Sequence, residues 1–408
     1  MLSESIASGP LTPHLTYFRG ALELDLDKLL ACLAGSELCT LVLDRPKKSR
    51  RNAEAHVASK KIVRSLHRTC PHLQHLYLRY SVEEPKRLSG AIGNLHNLRT
   101  LHVAPGNRIP RINPLLRKLS TLPFLSELAI PLGGVDPGDE PVSDGFSGLR
   151  VLAVECQHSS ELLEGELLQT MPPLTRLEQL KLRLPPFDLV TSSLPQVYTS
   201  IFSTSASTLT TIRLDLRRGA EAGETDHMVA HALLSSLEPL ENLVDVEVSL
   251  NDIAHFTDED LLTIAELWPR LSKLRISWVS AESDTDFEEE LAPTYGTVVD
   301  FVWQHPHLWE LRLTEVSLRD LDLQRRATCG WLSWYVSGFR VEEDRIRDPA
   351  QLANILNILY PHLHAKPPDY HCAGVQPLWR EVMHRLDRLW IERHTCSRCN
   401  NAERRKLH

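Results

Sequence analysis

Apolar positions along this chain follow one recurring template. Leu-x-x-Leu-x-Leu, with valine or isoleucine allowed, occurs at Leu38–Leu43, Leu73–Leu78, Leu98–Val103, Leu125–Ile130, Leu149–Val154, Leu177–Leu182, Leu209–Leu214, Leu243–Val248, Leu271–Ile276 and Leu308–Leu313. Successive starts lie 35, 25, 27, 24, 28, 32, 34, 28 and 37 residues apart, too regular for chance in a leucine-rich chain. The last four residues of each match alternate apolar and polar, the period of a strand with one buried face. The stretch before a match reads differently. "INPLLRKLSTL", "MVAHALLSSL" and "TDEDLLTIAELW" place apolar residues three and four apart, as a helix with one buried face requires. Thr257 is expected to cap the last of these, with Asp260 at the capping-box position. Each unit thus predicts helix, turn and short strand.

Such a unit cannot bury its apolar face alone, so it stacks on its neighbours. Strands pack about 4.8 Å apart and helices 8–10 Å apart. The stack is therefore expected to curve, with a parallel sheet on the concave side and helices outside. Pro71, Pro123, Pro269 and Pro306, just before a core, are expected to end the helix and feed the turn.

The ten cores resemble leucine-rich repeats of the long helical variety. Their uneven length and their joints, "CPHLQHL" at Cys70 and "HPHLWEL" at His305, resemble the repeat region of F-box/leucine-rich-repeat proteins, notably the divergent fungal ones, over about residues 20–365. That resemblance implies an α/β leucine-rich-repeat solenoid, a horseshoe with a parallel concave sheet, outer helices and a C-terminal helical cap. It further implies substrate recognition for a cullin-type (SCF) ubiquitin ligase. Two departures qualify it. The family places Asn or Cys three residues after the last core leucine, and here only Asn251 matches, so looser turns and irregular curvature are expected. Residues 1–37 do not read as an F-box but as an N-terminal cap and first degenerate repeat, so the adaptor-docking helices are expected to be absent or lost by truncation.

The solenoid is expected over residues 38–365. Its rhythm breaks at Ser317–Pro349, where Leu318–Leu323 is core-like but follows the tenth core too soon. Residues 366–408 are expected to form a linker, a capping helix and a flexible tail. In the helix Leu378, Val382, Leu386 and Leu389 share one face, with Trp379 and Trp390 beside it, so it covers the open end of the stack.

Charge and cysteine usage narrow the function. A net charge of −8 argues against a nucleic-acid or anionic-membrane partner. Eight scattered cysteines and the absence of Asn-x-Ser/Thr sequons point to a cytoplasmic or nuclear protein, expected to be monomeric by itself. No phosphate loop, nucleophile elbow, His-Glu-x-x-His or dinucleotide fingerprint occurs, so no enzyme activity and no cofactor is expected. Cys396 and Cys399 form a Cys-x-x-Cys near His394, but a second ligand pair is missing, so no metal site is assigned. "RPKKSRR" at Arg45–Arg51 reads as a solvated loop or an import signal, and "ESDTDFEEEL" at Glu282–Leu291 as an acidic excursion.

The third, fifth and seventh core positions should face the concave side. Of those 30 positions 14 are charged, seven of each sign, against 24% for the whole chain. That enrichment favours a recognition surface for a polar protein segment, and the balanced signs oppose a nucleic-acid groove. The candidate partner-binding residues are His75, Tyr77, Arg79, His102, Lys181, Arg183, Arg213, Glu247, Lys273, Arg275, Trp278 and Arg312, with Tyr80 near the aromatic end. Aromatic and arginine side chains are the usual interface anchors. A regulator of a small GTPase or of nuclear transport, using the same face, is the alternative. Leucine-rich activators of the Ran GTPase share the scaffold but carry a long acidic tail that this chain lacks.

Overall fold

The computed structural model describes residues 14–21, 37–44, 66–79, 85–104, 113–132, 142, 145–156, 173–187, 202–218, 233–234, 237–251, 256–278, 292–317, 333–340, 349–359 and 377–395. The chain divides into two compact units, Met1–Ala222 and Gly223–His408.

The first unit contains β1 (Tyr17–Ala21), β2 (Thr40–Asp44), β3 (His75–Arg79), α1 (Pro85–Ile92), β4 (Thr100–Val103), α2 (Asn113–Ser120), β5 (Glu127–Leu132), β6 (Val151–Cys156), β7 (Gln179–Phe187) and β8 (Thr211–Arg218). All of these strands run parallel, each paired with the next in sequence. The second unit contains β9 (Asp245–Asn251), α3 (Asp258–Leu267), β10 (Lys273–Trp278), α4 (Tyr295–Gln304), β11 (Glu310–Ser317), β12 (Ser333–Arg340), α5 (Pro349–Leu359) and α6 (Pro377–Thr395), its strands again parallel and in sequence order.

The leucines do what their spacing predicts. The first, fourth and sixth core positions are buried from Leu38, Leu41 and Leu43 through to Leu308, Leu311 and Leu313. Helix side chains meet them there: Leu115, Leu116 and Leu119 of α2, Leu261 and Ile264 of α3, and Val298, Phe301 and Val302 of α4 are all fully buried. This repeated coil is a leucine-rich-repeat solenoid of the α/β class.

Two hydrogen-bond devices repeat along it. The carbonyl of the residue before the strand accepts two N–H groups from the next repeat at β1 to β7 in the first unit and at β9 and β10 in the second. Thr16 O takes Cys39 and Thr40, Cys39 O takes Gln74 and His75, and the series runs on to Glu178 O, which takes Thr210 and Thr211; in the second unit Val244 O takes Ser272 and Lys273, and Ser272 O takes Trp309 and Glu310, all at 2.7–3.3 Å. The hydroxyls of Ser126, Thr210 and Ser272 donate to the same set of carbonyls. This staple sits where the strands begin. The asparagine ladder of the resembled family sits where they end, and most of those positions lie outside the described residues.

The second device is a turn. The N–H of the first core leucine donates to the carbonyl three residues back, as in Leu73→Cys70, Leu98→Leu95, Leu271→Trp268 and Leu308→His305. The accepting residue is buried each time, at 1% for Cys70, 0% for Leu95 and Trp268, and 2% for His305. Proline at the next position, as in Pro71, Pro269 and Pro306, fits the second place of such a turn. This explains why "CPHL", "WPRL" and "HPHL" return: the first letter plugs the core and the proline bends the chain.

Helix ends follow local rules. The N–H and hydroxyl of Thr257 both donate to Asp260 Oδ2, at 2.9 and 3.1 Å, fixing the start of α3. Asp258, the next residue, accepts from Thr294, the N-cap of α4, and so ties the two helices together. At the C-terminal end α6 buries Val382, Met383 and Leu386, and α5, packed against it, buries Leu352, Ala353 and Leu356. Leu389 of the predicted face is half-buried, while the side chains of Leu378, Trp379 and Trp390 lie outside the described residues.

Strand β12 was not signalled by the leucine template. It reads Ser-Trp-Tyr-Val, and Trp334 and Val336 stand in register with Leu311 and Leu313. An aromatic residue thus holds a leucine position. The core-like Leu318–Leu323 lies outside the described residues.

One turn depends on glycine. Gly145 (φ 130°) and the buried Phe146 (φ 53°) both have left-handed backbones on the way into β6. A Cβ on Gly145 would stand 2.3 Å from Ser120 Cβ and 2.7 Å from its carbonyl oxygen. Gly145→Ala is therefore expected to destabilise the protein by about 2 kcal/mol, read as a lower urea midpoint at unchanged slope.

Candidate functional site

Strand alternation leaves the third, fifth and seventh core positions on the sheet face opposite the buried leucines. Because the core positions pair in one register within each unit, and the β7–β8 pairing shifts only beyond Leu184, these side chains form three rows that run across the strands. In the first unit the first row passes through Tyr17, Thr40, His75, Thr100 and Glu127, and the second through Arg19, Val42, Tyr77, His102 and Ala129. Each strand therefore offers three side chains at fixed height.

The second unit carries a dense ion-pair network on this face. Arg275 is at its centre. Its Nε and Nη2 donate to the two oxygens of Glu310 at 3.0 and 2.7 Å, and its Nη1 donates to Glu247 at 3.3 Å. Asp245 Oδ1 lies 3.8 Å from the same Nη1, and Lys273 reaches Asp245 Oδ2 at 3.4 Å. Arg312 Nε donates to Glu310 Oε1 at 2.6 Å. Glu310 is only 3% exposed, so its charge depends on these arginines. The hydrogen bond from Arg275 holds its carboxyl below the ordinary carboxylate range, against the opposing effect of burial, and the charges of Arg275 and Arg312 add to that lowering. Lys273 also lies 4.7 Å from the centre of the Trp309 ring, a cation–π contact.

A polar relay spans β3 to β5 in the first unit. His75 Nδ1 lies 3.0 Å from Thr100 Oγ1, and that hydroxyl donates to Glu127 Oε2 at 3.4 Å. Glu127 Oε1 lies 2.7 Å from His102 Nε2, and His102 meets the Tyr77 ring edge-on at 4.8 Å. Burial, followed by the nearby Glu127 charge, raises the Tyr77 phenol. In the third row Arg79 lies 3.9 Å from Asp44, which also pairs with Arg19. Arg183 bridges Glu155 and Asp215 at 3.0 and 3.1 Å.

No family model matches the chain, and no curated protein matches it. Solved structures do. One is a protein of Bacteroides fragilis, 13% identical, with 79% of this chain and 74% of that chain covered at a TM-score of 0.33. Another is the leucine-rich repeat-containing protein LegL7 of Legionella pneumophila, 11% identical, with 84% of this chain and 98% of that chain covered at a TM-score of 0.38. The strand order and leucine burial of this chain themselves define its fold.

Eleven of the twelve predicted residues stand on the open face, and one does not. Trp278 follows the last apolar position of its core by two residues, so alternation turns it inward. It is 3% exposed and packs on Phe256 with ring centres 5.4 Å apart. It is a core residue, not a partner anchor. Tyr80 lies outside the described residues, as do Arg45–Arg51, Glu282–Leu291, Cys396 and Cys399.

Two residues of the face escaped the template. Tyr17, 53% exposed, and Arg19 belong to β1. There the sequence reads Leu-Thr-Tyr-Phe-Arg-Gly, and glycine replaces the last core leucine; the preserved alternation was the available signal.

A groove of about 600 Å³ between α5 and α6 is lined by Ala350, Asn354, Arg380, His384 and Arg388. Arg385 beside it pairs with Glu381 one turn away at 2.7 Å. Among the described residues no three metal-ligating side chains come together, and no helix is long and apolar enough to cross a membrane.

Proposed function

We propose that this chain is a protein-binding scaffold without chemistry of its own, and that its partner lies on the open face of the sheet. The observation that carries this reading is the constant register. It aligns side chains from successive strands into continuous rows, while the opposite face is spent on packing. Such a surface fits a macromolecule better than a small substrate, which requires an enclosed pocket. The finer reading follows the resemblance stated above: the scaffold recruits a substrate to a cullin-type ubiquitin ligase from the cytoplasm or nucleus.

Obstructing the face tests the proposal. Ala129→Arg with Ala153→Arg places two long side chains on half-buried positions of the face. The partners captured by the full chain are expected to be lost from this variant and retained by Leu262→Arg, which alters an exposed helix residue. An unchanged partner set means that the wrong face was chosen. Failure of the chain to bind the ligase adaptor removes the ligase version alone, and stimulated hydrolysis by one of a panel of small GTPases would replace it with the regulator reading.

A further inference from the structure

The cations on the open face are not equivalent. In the second unit all three named ones are engaged: Lys273 with Asp245, Arg275 with Glu247 and Glu310, and Arg312 with Glu310. They hold the sheet together and are poor hands for a visitor. Arg183 in the first unit is likewise spent on two carboxylates.

Lys181 differs. From β3 to β8 the middle row reads Tyr77, His102, Ala129, Ala153, Lys181 and Arg213. It holds two rings, two methyl groups and two cations, and no carboxylate. Lys181 is half-buried and pairs with no carboxylate among the described residues. Its register neighbour on β8 is Arg213, another cation. Like charges directly opposite one another weaken a sheet unless an anion lies between them. Glu155 and Asp215, one row away, already pair with Arg183. Among the described residues no carboxylate is left over for this cation.

We propose that the middle row of the first unit binds an extended segment of a partner protein, with an anionic side chain of that segment on Lys181 and an apolar side chain over Ala129 and Ala153 against the edge of His102. The proposal rests on the scaffold reading above and narrows it to one unit and one peptide chemistry. Spacing sets the motif. Strands lie about 4.8 Å apart, so Ala129 is about 10 Å and His102 about 14 Å from Lys181. An extended chain advances about 3.1–3.4 Å per residue, which places the apolar and anionic residues three or four positions apart. The rings and alanine methyls favour the apolar group at one end, and the unmatched cation favours the anion at the other.

A library of immobilised nonapeptides, probed with the full chain, tests this. The expected result is enrichment of peptides with an apolar residue three or four positions from Asp, Glu or phosphoserine. The separate phosphoserine arm shows which anion is preferred. Lys181→Met is expected to weaken the enriched peptides about tenfold. Lys181→Glu is expected to abolish them and to select Lys or Arg at the same place, a gain that misfolding cannot produce. Ser277→Arg, at an exposed position on the open face of the second unit, is expected to leave them unchanged. Peptides that respond to Ser277→Arg but not to Lys181→Glu overturn this inference and leave the open-face reading standing. Peptides indifferent to both overturn the two together. Absence of any enriched peptide, or binding of a single-stranded oligonucleotide in its place, also overturns the inference.

Discussion

Arg275→Met is expected to cost the fold about 3 kcal/mol, measured by urea denaturation at neutral pH. The loss comes less from the pair interactions than from what they leave behind. Among the described residues Glu310 would keep only Arg312, and Asp245 only Lys273, in a setting where Glu310 is almost dry. A buried carboxylate stripped of its main partner carries the full penalty of desolvation. The lower end of the usual range applies because the Arg275 side chain retains 20% exposure. The double variant Arg275→Met, Glu310→Leu removes the stranded charge as well, and it should return to within about 1 kcal/mol of the parent. Acid provides a second readout. Glu310 has a folded-state pKa below its unfolded value, so its contribution is present above the unfolded value, near 4.5, and fades as the pH falls through the folded one. The parent should therefore lose stability below about pH 4.5, and the Arg275→Met variant should show a shallower slope there. Equal slopes in the two proteins would mean that Glu310 is not the group held by Arg275.

Trp268 is expected to show the other large effect, split between two substitutions. It is fully buried at the turn before β10. Trp268→Ala opens a large void in a close-packed layer, and the expected loss is about 4 kcal/mol. Trp268→Phe should fall within about 1 kcal/mol of the parent. The indole Nε1 is buried with no hydrogen-bond partner among the described residues, so the smaller ring loses some packing but also removes an unpaired donor. The Trp268 carbonyl keeps its two contacts in either variant. It accepts from the Leu271 N–H and lies 3.2 Å from His305 Nε2, whose Nδ1 sits 2.8 Å from the carbonyl of Phe301. A loss of several kcal/mol in Trp268→Phe would indicate that the indole N–H does find an acceptor.

Strands and core were legible because both follow from apolar spacing. The ten leucine matches each became a strand with its fourth and sixth positions inward. Two strands were missed where another residue took a leucine's place, glycine at the end of the core in β1 and tryptophan in β12. Strand pairing tolerates such replacements and a written template does not. The face was also legible, since odd positions of a strand must point one way. What those positions do was not. Lys273, Arg275 and Arg312 look like interface anchors in sequence, yet they are bound to carboxylates 28 or 35 residues away or two residues away. Only register reveals that Asp245, Lys273 and Glu310 share a row. Trp278 failed for a simpler reason: one step along a strand reverses the face. The relay from His75 through Thr100 and Glu127 to His102 was likewise hidden, because its members come from three repeats.

The staple at the start of each strand has a consequence for how such a chain can change. Spacings between cores range from 24 to 37 residues, yet within each unit the core positions keep one register, held at most strands by a carbonyl just ahead of the strand. Length added or removed on the far side of a coil therefore leaves the rows aligned. Insertions can accumulate there without shifting a recognition residue by a single step, and the composition of the rows can drift while the coil geometry stays constant. A lineage carrying this architecture can exchange partners by point substitution and change its outer decoration by insertion, with neither process disturbing the other.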